Sequence, residues 1–169
     1  RTRTSLTGSN NQILYASFSR DNKQVVAACY DNSIKIWDAV SGSLAATLEG
    51  NNGHFSSASF NSAGNRVIAA SEEIIEILNS KNLFSIAKFP EHNLTAPVFS
   101  HDDKRIITTS VDNTATIRDA ETGKLIYTIF SLDATDFFAQ IPSGYYQSSP
   151  NAAKLLHYVT KDLKVITFD

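Results

Sequence analysis

Apolar and polar residues alternate through Ile34-Lys35-Ile36-Trp37-Asp38, the period of a strand with one face turned to a core. Worn copies recur at Ile74-Ile75-Glu76-Ile77-Leu78, Thr114-Ala115-Thr116-Ile117-Arg118-Asp119 and Leu163-Lys164-Val165-Ile166-Thr167-Phe168-Asp169. Before the first three copies stand apolar runs: Val25-Val26-Ala27-Ala28-Cys29, Val67-Ile68-Ala69-Ala70 and Ile106-Ile107-Thr108-Thr109. Continuous runs of this length fit strands covered on both faces. Turn clusters precede them: Ser19-Arg20-Asp21-Asn22, Asn61-Ser62-Ala63-Gly64 and Ser100-His101-Asp102-Asp103. A further strand, Leu44 to Leu48 or Leu125 to Ile129, follows a Ser41-Gly42 or Thr122-Gly123 turn.

An aromatic ends the first strand of each unit. Phe18, Phe60 and Phe99 stand 42 and 39 residues apart. Four-stranded units repeating at about 40 residues predict an all-β fold, a β-propeller of four-stranded antiparallel blades. We expect about four blades in one domain, over 10–50, 51–90, 91–131 and 132–169 plus 1–8. In the fourth, an inner strand is expected at Asp136 to Ile141, a second at Lys154 to Val159 and a third at Leu163 to Phe168. Tyr145 to Pro150 reads as an inserted loop. Residues 1–8 resemble the outer strand Leu44 to Gly50, so the N-terminal strand is expected to complete the last blade and remove a free edge. Half of a larger propeller, a pair of chains and four blades closing alone are the open arrangements; the first two are favoured.

These motifs resemble the WD-repeat family over nearly the whole chain, in divergent form. The unit with Asp31, Lys35, Trp37 and Asp38 is the clearest copy. The third keeps Thr108, Asp112 and Asp119 but has Arg118 in the Trp position. The second has Glu72 and Leu78 at the Asp and Trp positions; the fourth has Asp162 and Phe168. The resemblance implies a buried network of His, Ser or Thr, turn Asp and Trp within a blade. No unit here carries all four: Ala27 takes the hydroxyl position, and His54 and His92 lie too close to the next Phe. Gly144-Tyr145-Tyr146-Gln147-Ser148-Ser149-Pro150-Asn151 looks like the closing repeat of bacterial multidomain WD-repeat proteins, which implies a missing partner domain for any catalysis.

Composition narrows the reading. The net charge of −2 offers no basic field for nucleic acid. No apolar run approaches the roughly 18 residues of a membrane span, and no signal-peptide pattern opens the chain. The single cysteine, Cys29, lies in an apolar strand and reads as an inert buried thiol, which fits a reducing, cytoplasmic setting. Methionine is absent, even at position 1, so we expect a segment of a longer protein.

No catalytic motif, cofactor loop or metal-ligand spacing is present, so no enzyme, cofactor or metal is expected. His54, His92, His101 and His157 fall in different units. Asp31, Asp112 and Asp162 read as turn residues that accept backbone N–H groups. Trp37 reads as a packed blade residue. Lys23, Arg66, Lys104 and Arg105 line one rim, as a mild basic edge or simply as solvated loop residues. Tyr145 and Tyr146 suit either core packing or a partner contact.

By analogy with the family, partners dock on the face bearing the entrances to strand one and the turns between strands two and three. The candidates there are Asn10, Gln12, Asn52, His54, Glu91 and Asn93, then Tyr30, Ser71, Val111 and Lys161. This amide-rich set with one aromatic suits a protein or peptide partner. The expected function is a non-catalytic protein-interaction scaffold within a larger protein. The alternatives are a propeller enzyme with a channel-mouth site around His54 and Glu91, and a self-assembling half-propeller whose homodimer completes a larger ring.

Overall fold

The computed structural model describes residues 5–8, 12–50, 54–71, 73–90, 95–155, 157–159 and 165–167, with side chains to residue 152. Among the described residues, three antiparallel sheets that form blades follow one another along the chain, with a two-stranded sheet after them. Blade one comprises β1 (Ile13–Phe18), β2 (Gln24–Cys29), β3 (Ser33–Asp38) and β4 (Leu44–Glu49), paired in that order. Blade two repeats the order with β5 (Ser57–Phe60), β6 (Arg66–Ala70), β7 (Ile74–Asn79) and β8 (Ser85–Pro90). Blade three begins with β9 (Val98–Phe99), β10 (Arg105–Thr109), β11 (Thr114–Asp119) and β12 (Leu125–Ser131). The strands expected from the alternating and apolar segments of these three units are thus present.

The blades pack face to face, which explains the continuous apolar runs of β2 and β6. Val26 pairs with Ile36 and Ala28 with Ile34, so the four share one face of blade one. That face meets Phe55, Ala58, Val67, Ala69, Leu78 and Leu83 of blade two. The opposite face of blade two, Ile68, Ala70, Ile75 and Ile77, meets Ile106 and Ala120 of blade three. A fully buried aliphatic side chain contributes about 1.5–3 kcal/mol, so these two seams dominate the cohesion of the stack. The equivalent face of blade three carries Ile107, Thr109, Ala115 and Ile117. There Ile107 is 37% exposed, where Val26 and Ile68 are sealed at 0% and 1%.

Two local devices repeat. The register slips by one residue between Ile36 and Trp37, between Ile77 and Leu78, and between Ile117 and Arg118. A bulge at the same place in each blade increases the local twist. The turns joining strands one and two place Asn22, Gly64 and Asp103 at φ 57°, 72° and 59°. Asn, Gly and Asp are the residues that tolerate this left-handed conformation best.

The fourth unit departs from expectation. The strand placed at Asp136 to Ile141 exists as β13 (Phe137–Gln140), but it pairs with β12 and extends blade three. The supposed loop Tyr145 to Pro150 contains β14 (Tyr146–Ser148), which pairs with β13 and makes the sheet six-stranded. The reason is the length and chemistry of the link. Only residues 132–136 separate β12 from β13, whereas 50–56 separate β4 from β5. The Asp133 carboxylate accepts the backbone N–H groups of Thr135 and Asp136, both at 2.8 Å, and so folds the chain straight back. Lys154 to Val159 is not one strand: α1 (Pro150–Leu155) precedes β15 (His157–Val159), which pairs with β16 (Val165–Thr167). At the N-terminus, residues 5–8 form no strand and lie against blade one, where Thr7 N donates to Gly42 O at 3.2 Å. Residues 1–4 of the expected completing strand lie outside the described residues.

Candidate functional site

Tyr30 and His54 come together at one end of the blade one–blade two seam. Their ring centroids are 5.8 Å apart with planes tilted by 31°. Tyr30 sits in the turn after β2, where its N–H donates to Gln12 O at 2.8 Å. His54 lies three residues before β5. Tyr30 is 59% exposed, and His54 and Gln12 are also exposed. Phe55, the residue after His54, is buried in the seam and holds the chain there. The two rings form a solvent-facing aromatic spot on a fixed backbone.

Blade one gives this turn its height. Five residues separate the paired Ala28 and Ile34, but four separate Ala70 and Ile75 in blade two. The shorter link pulls Ser71 inward. Ser71 is only 3% exposed, and its N–H donates to Ile74 O at 2.9 Å. Ser71 is therefore a hairpin residue and not part of an exposed face. Val111, at the matching turn of blade three, is 79% exposed. Asn10, Asn52, Glu91, Asn93 and Lys161 lie outside the described residues. Of the sequence candidates, the structure brings together Tyr30, His54 and Gln12.

Two features below the rings are legible only in the structure. Gly50 N donates to Asn32 O at 2.8 Å, and a Cβ on Gly50 would stand 2.2 Å from that oxygen and 3.1 Å from the Phe55 ring. The glycine is required by close approach. Asn32 holds φ 67° just after Asp31 and supports the Tyr30 turn.

Among the described residues, the turn aspartates Asp31 and Asp112 accept backbone N–H groups. The Asp31 carboxylate accepts from Ser33 N at 3.1 Å and from Lys35 Nζ at 2.9 Å. Ser33 Oγ joins this network through Lys35 Nζ. Lys35 is almost buried and its ammonium is paired with this carboxylate. Asp112 accepts from Thr114 N at 3.0 Å. Asp38 accepts from Val40 N and Ser41 N, and Asp119 from Glu121 N and Thr122 N. Trp37 is fully buried. Its partner is the carbonyl of Thr7, at 2.7 Å, in place of the hydroxyl implied by the family network. Asp162 lies outside the described residues. Among the described residues, no three His, Cys, Asp or Glu side chains cluster to hold a metal ion.

Tyr145 lies in the turn before β14 and Tyr146 is the first residue of that strand. Tyr145 is 77% exposed, and Tyr146 packs on Phe138 at 5.1 Å between centroids. Phe138 in turn meets Phe130 at 5.8 Å, an aromatic ladder across β12, β13 and β14.

Comparison with known proteins agrees with the geometry. Residues 1–38 match the family model described as WD domain, G-beta repeat. No curated protein matches the sequence closely. The fold is similar to the RRP9 WD40 repeats, with 16% identity, a TM-score of 0.69, and coverage of 85% of this chain and 52% of that one. It is also similar to the computationally designed Ika4 protein, with 19% identity, a TM-score of 0.64, and coverage of 88% and 97%. A third similar structure is BamB from Moraxella catarrhalis, with 13% identity, a TM-score of 0.64, and coverage of 84% and 51%. The chain spans about half the length of the RRP9 structure it matches. The sequence match bears out the WD-repeat resemblance over residues 1–38, and the structural likenesses bear out a propeller fold of four-stranded blades.

Proposed function

We propose that this chain is a non-catalytic protein-interaction scaffold that recognises a protein or peptide through the Tyr30–His54 spot. WD-repeat proteins generally act as protein-interaction scaffolds, and the chain resembles them in sequence and fold. The observation that carries the reading is an exposed tyrosine packed on an exposed histidine, both fixed by buried neighbours. A rigid aromatic beside polar groups is the composition of an interface hot spot. Gln12, with the backbone around it, supplies hydrogen-bonding groups at the rim. The cytoplasmic setting and the place within a larger protein belong to the same proposal, the first resting on the buried thiol of Cys29. The test is a quantitative pull-down with Tyr30→Ala and His54→Ala. Partner recovery should fall by about tenfold or more for a hot-spot tyrosine. Unchanged recovery with both folded variants would contradict the reading.

The exposed Ile107 favours a second reading, in which a second copy covers the open face of blade three. Light scattering of the wild type and Ile107→Arg over a dilution series tests it. A dimer lost in the variant supports the reading, and a monomer throughout contradicts it.

A further inference from the structure

The turns between strands one and two meet one another at the far end of β2 from Tyr30, about 20 Å away at the rise of a six-residue strand. At the seam between blades two and three, Asp103 reaches back onto the preceding turn. Its carboxylate accepts from Ser62 N at 2.7 Å, Ala63 N at 2.9 Å and Asn61 Nδ2 at 3.0 Å. Two successive backbone N–H groups aimed at one carboxylate make an anion-binding nest.

The seam between blades one and two has the same turn without the same occupant. By the repeat, Arg20 and Asp21 stand where Ser62 and Ala63 stand, and Gly64 stands where Asp103 stands. Among the described residues the Arg20 N–H meets no acceptor and the Asp21 N–H meets only its own carboxylate, because Gly64 has no side chain to offer. A cleft of about 320 Å³ remains, lined by Ser19, Arg20, Asp21, Ser62, Ala63 and Gly64. A Cβ on Gly64 would meet nothing within 4 Å. The cleft also gains a charge that the filled nest lacks, the Arg20 guanidinium. Asp21 opposes an anion here, but its carboxylate is turned to Ser19 Oγ at 2.7 Å and Lys23 N at 3.1 Å, with Lys23 Nζ at 3.9 Å. Arg20 and Lys23 together outweigh it by one positive charge.

We infer that this cleft binds a carboxylate, supplied by an aspartate or glutamate side chain in an acidic peptide segment of a partner. The ligand carboxylate takes the place that the Asp103 side chain fills one blade later. Arg20 adds a charge-assisted hydrogen bond. The site lies on the rim opposite the Tyr30–His54 spot, so it stands or falls independently of that surface.

Amide-resolved NMR tests the assignment with the blocked peptide acetyl-Gly-Asp-Gly-amide. The controls are acetyl-Gly-Asn-Gly-amide, acetate and inorganic phosphate. The Arg20 and Asp21 amide signals should shift saturably with the Asp peptide, and the Asn peptide should bind about tenfold more weakly, the loss expected when a charge-assisted bond becomes neutral. Arg20→Gln should weaken binding by a similar factor. Gly64→Asp should abolish it by placing the carboxylate in the chain, as Asp103 does. Absence of shifts at those two amides would overturn the inference. So would an equal response to the Asn peptide or phosphate, no response to acetate, or peptide binding that survives Gly64→Asp.

Discussion

The indole N–H of Trp37 donates to the carbonyl oxygen of Thr7 at 2.7 Å, joining the N-terminal segment to the buried side of blade one. Trp37→Phe keeps most of the apolar volume and removes this bond, so it should cost about 1 kcal/mol, the usual worth of one hydrogen bond. Trp37→Ala leaves a cavity and should cost about 3–5 kcal/mol. Urea unfolding followed by circular dichroism measures both. A Phe variant as unstable as the Ala variant would contradict this division.

The Asp103 clasp joins blades two and three through three donors. Asp103→Ala leaves two backbone N–H groups without their acceptor and should destabilise by about 1–3 kcal/mol. Hydrogen exchange should quicken at Ser62 and Ala63 and stay unchanged at Val40 and Ser41, which bond to Asp38. Uniform quickening at all four positions would contradict a local clasp.

Gly50 lies against the Asn32 carbonyl with no room for a methyl group. Gly50→Ala should destabilise by about 1–3 kcal/mol, the typical cost of overpacking. The displaced turn carries Tyr30, so the Tyr30 and His54 ring signals should shift as well. A variant with wild-type stability and unshifted rings would contradict the close approach.

Asp38 and Asp119 repeat one turn at the ends of β3 and β11. Bonds from Ser41 and Val40 hold the Asp38 carboxyl below its ordinary value, and bonds from Thr122 and Glu121 do the same for Asp119. A carboxyl depressed in the folded state stabilises the fold above its unfolded value. That stability is lost as pH falls from the ordinary carboxylate range through the lowered folded value. The double variant Asp38→Asn, Asp119→Asn should therefore show a shallower loss of stability below about pH 4 than the wild type. Urea midpoints across the acid range measure the slopes, and equal slopes would contradict the assignment.

The blades were legible because their signals are local and redundant. The alternation around Trp37, the double-sided apolar run at Val25 to Cys29 and the turn after Phe18 all give the same answer. The roles of Asp31, Asp112 and Trp37 followed from the same repeat. The fate of Phe137 was not legible, because a strand of four residues carries no label for the sheet it joins. The short link through Asp133 decides that pairing, and its length was the available signal. Ser71 differs for a related reason: equal motif positions do not give equal exposure where the link from Ala70 to Ile75 is one residue shorter than that from Ala28 to Ile34. The Tyr30–His54 contact crosses two blades and is set by the packing of Phe55, which no local pattern encodes.

Tyr30 is proposed to face a protein partner. A photo-crosslinking amino acid at position 30, with position 84 as the control, tests it most directly. Phe84 is the fitting control, since it is 73% exposed against 59% for Tyr30 but lies in the turn between β7 and β8. In the native extract, one discrete adduct at position 30 and none of that mass at position 84 is the predicted result. The same adducts from both positions, or none from position 30, would contradict the account.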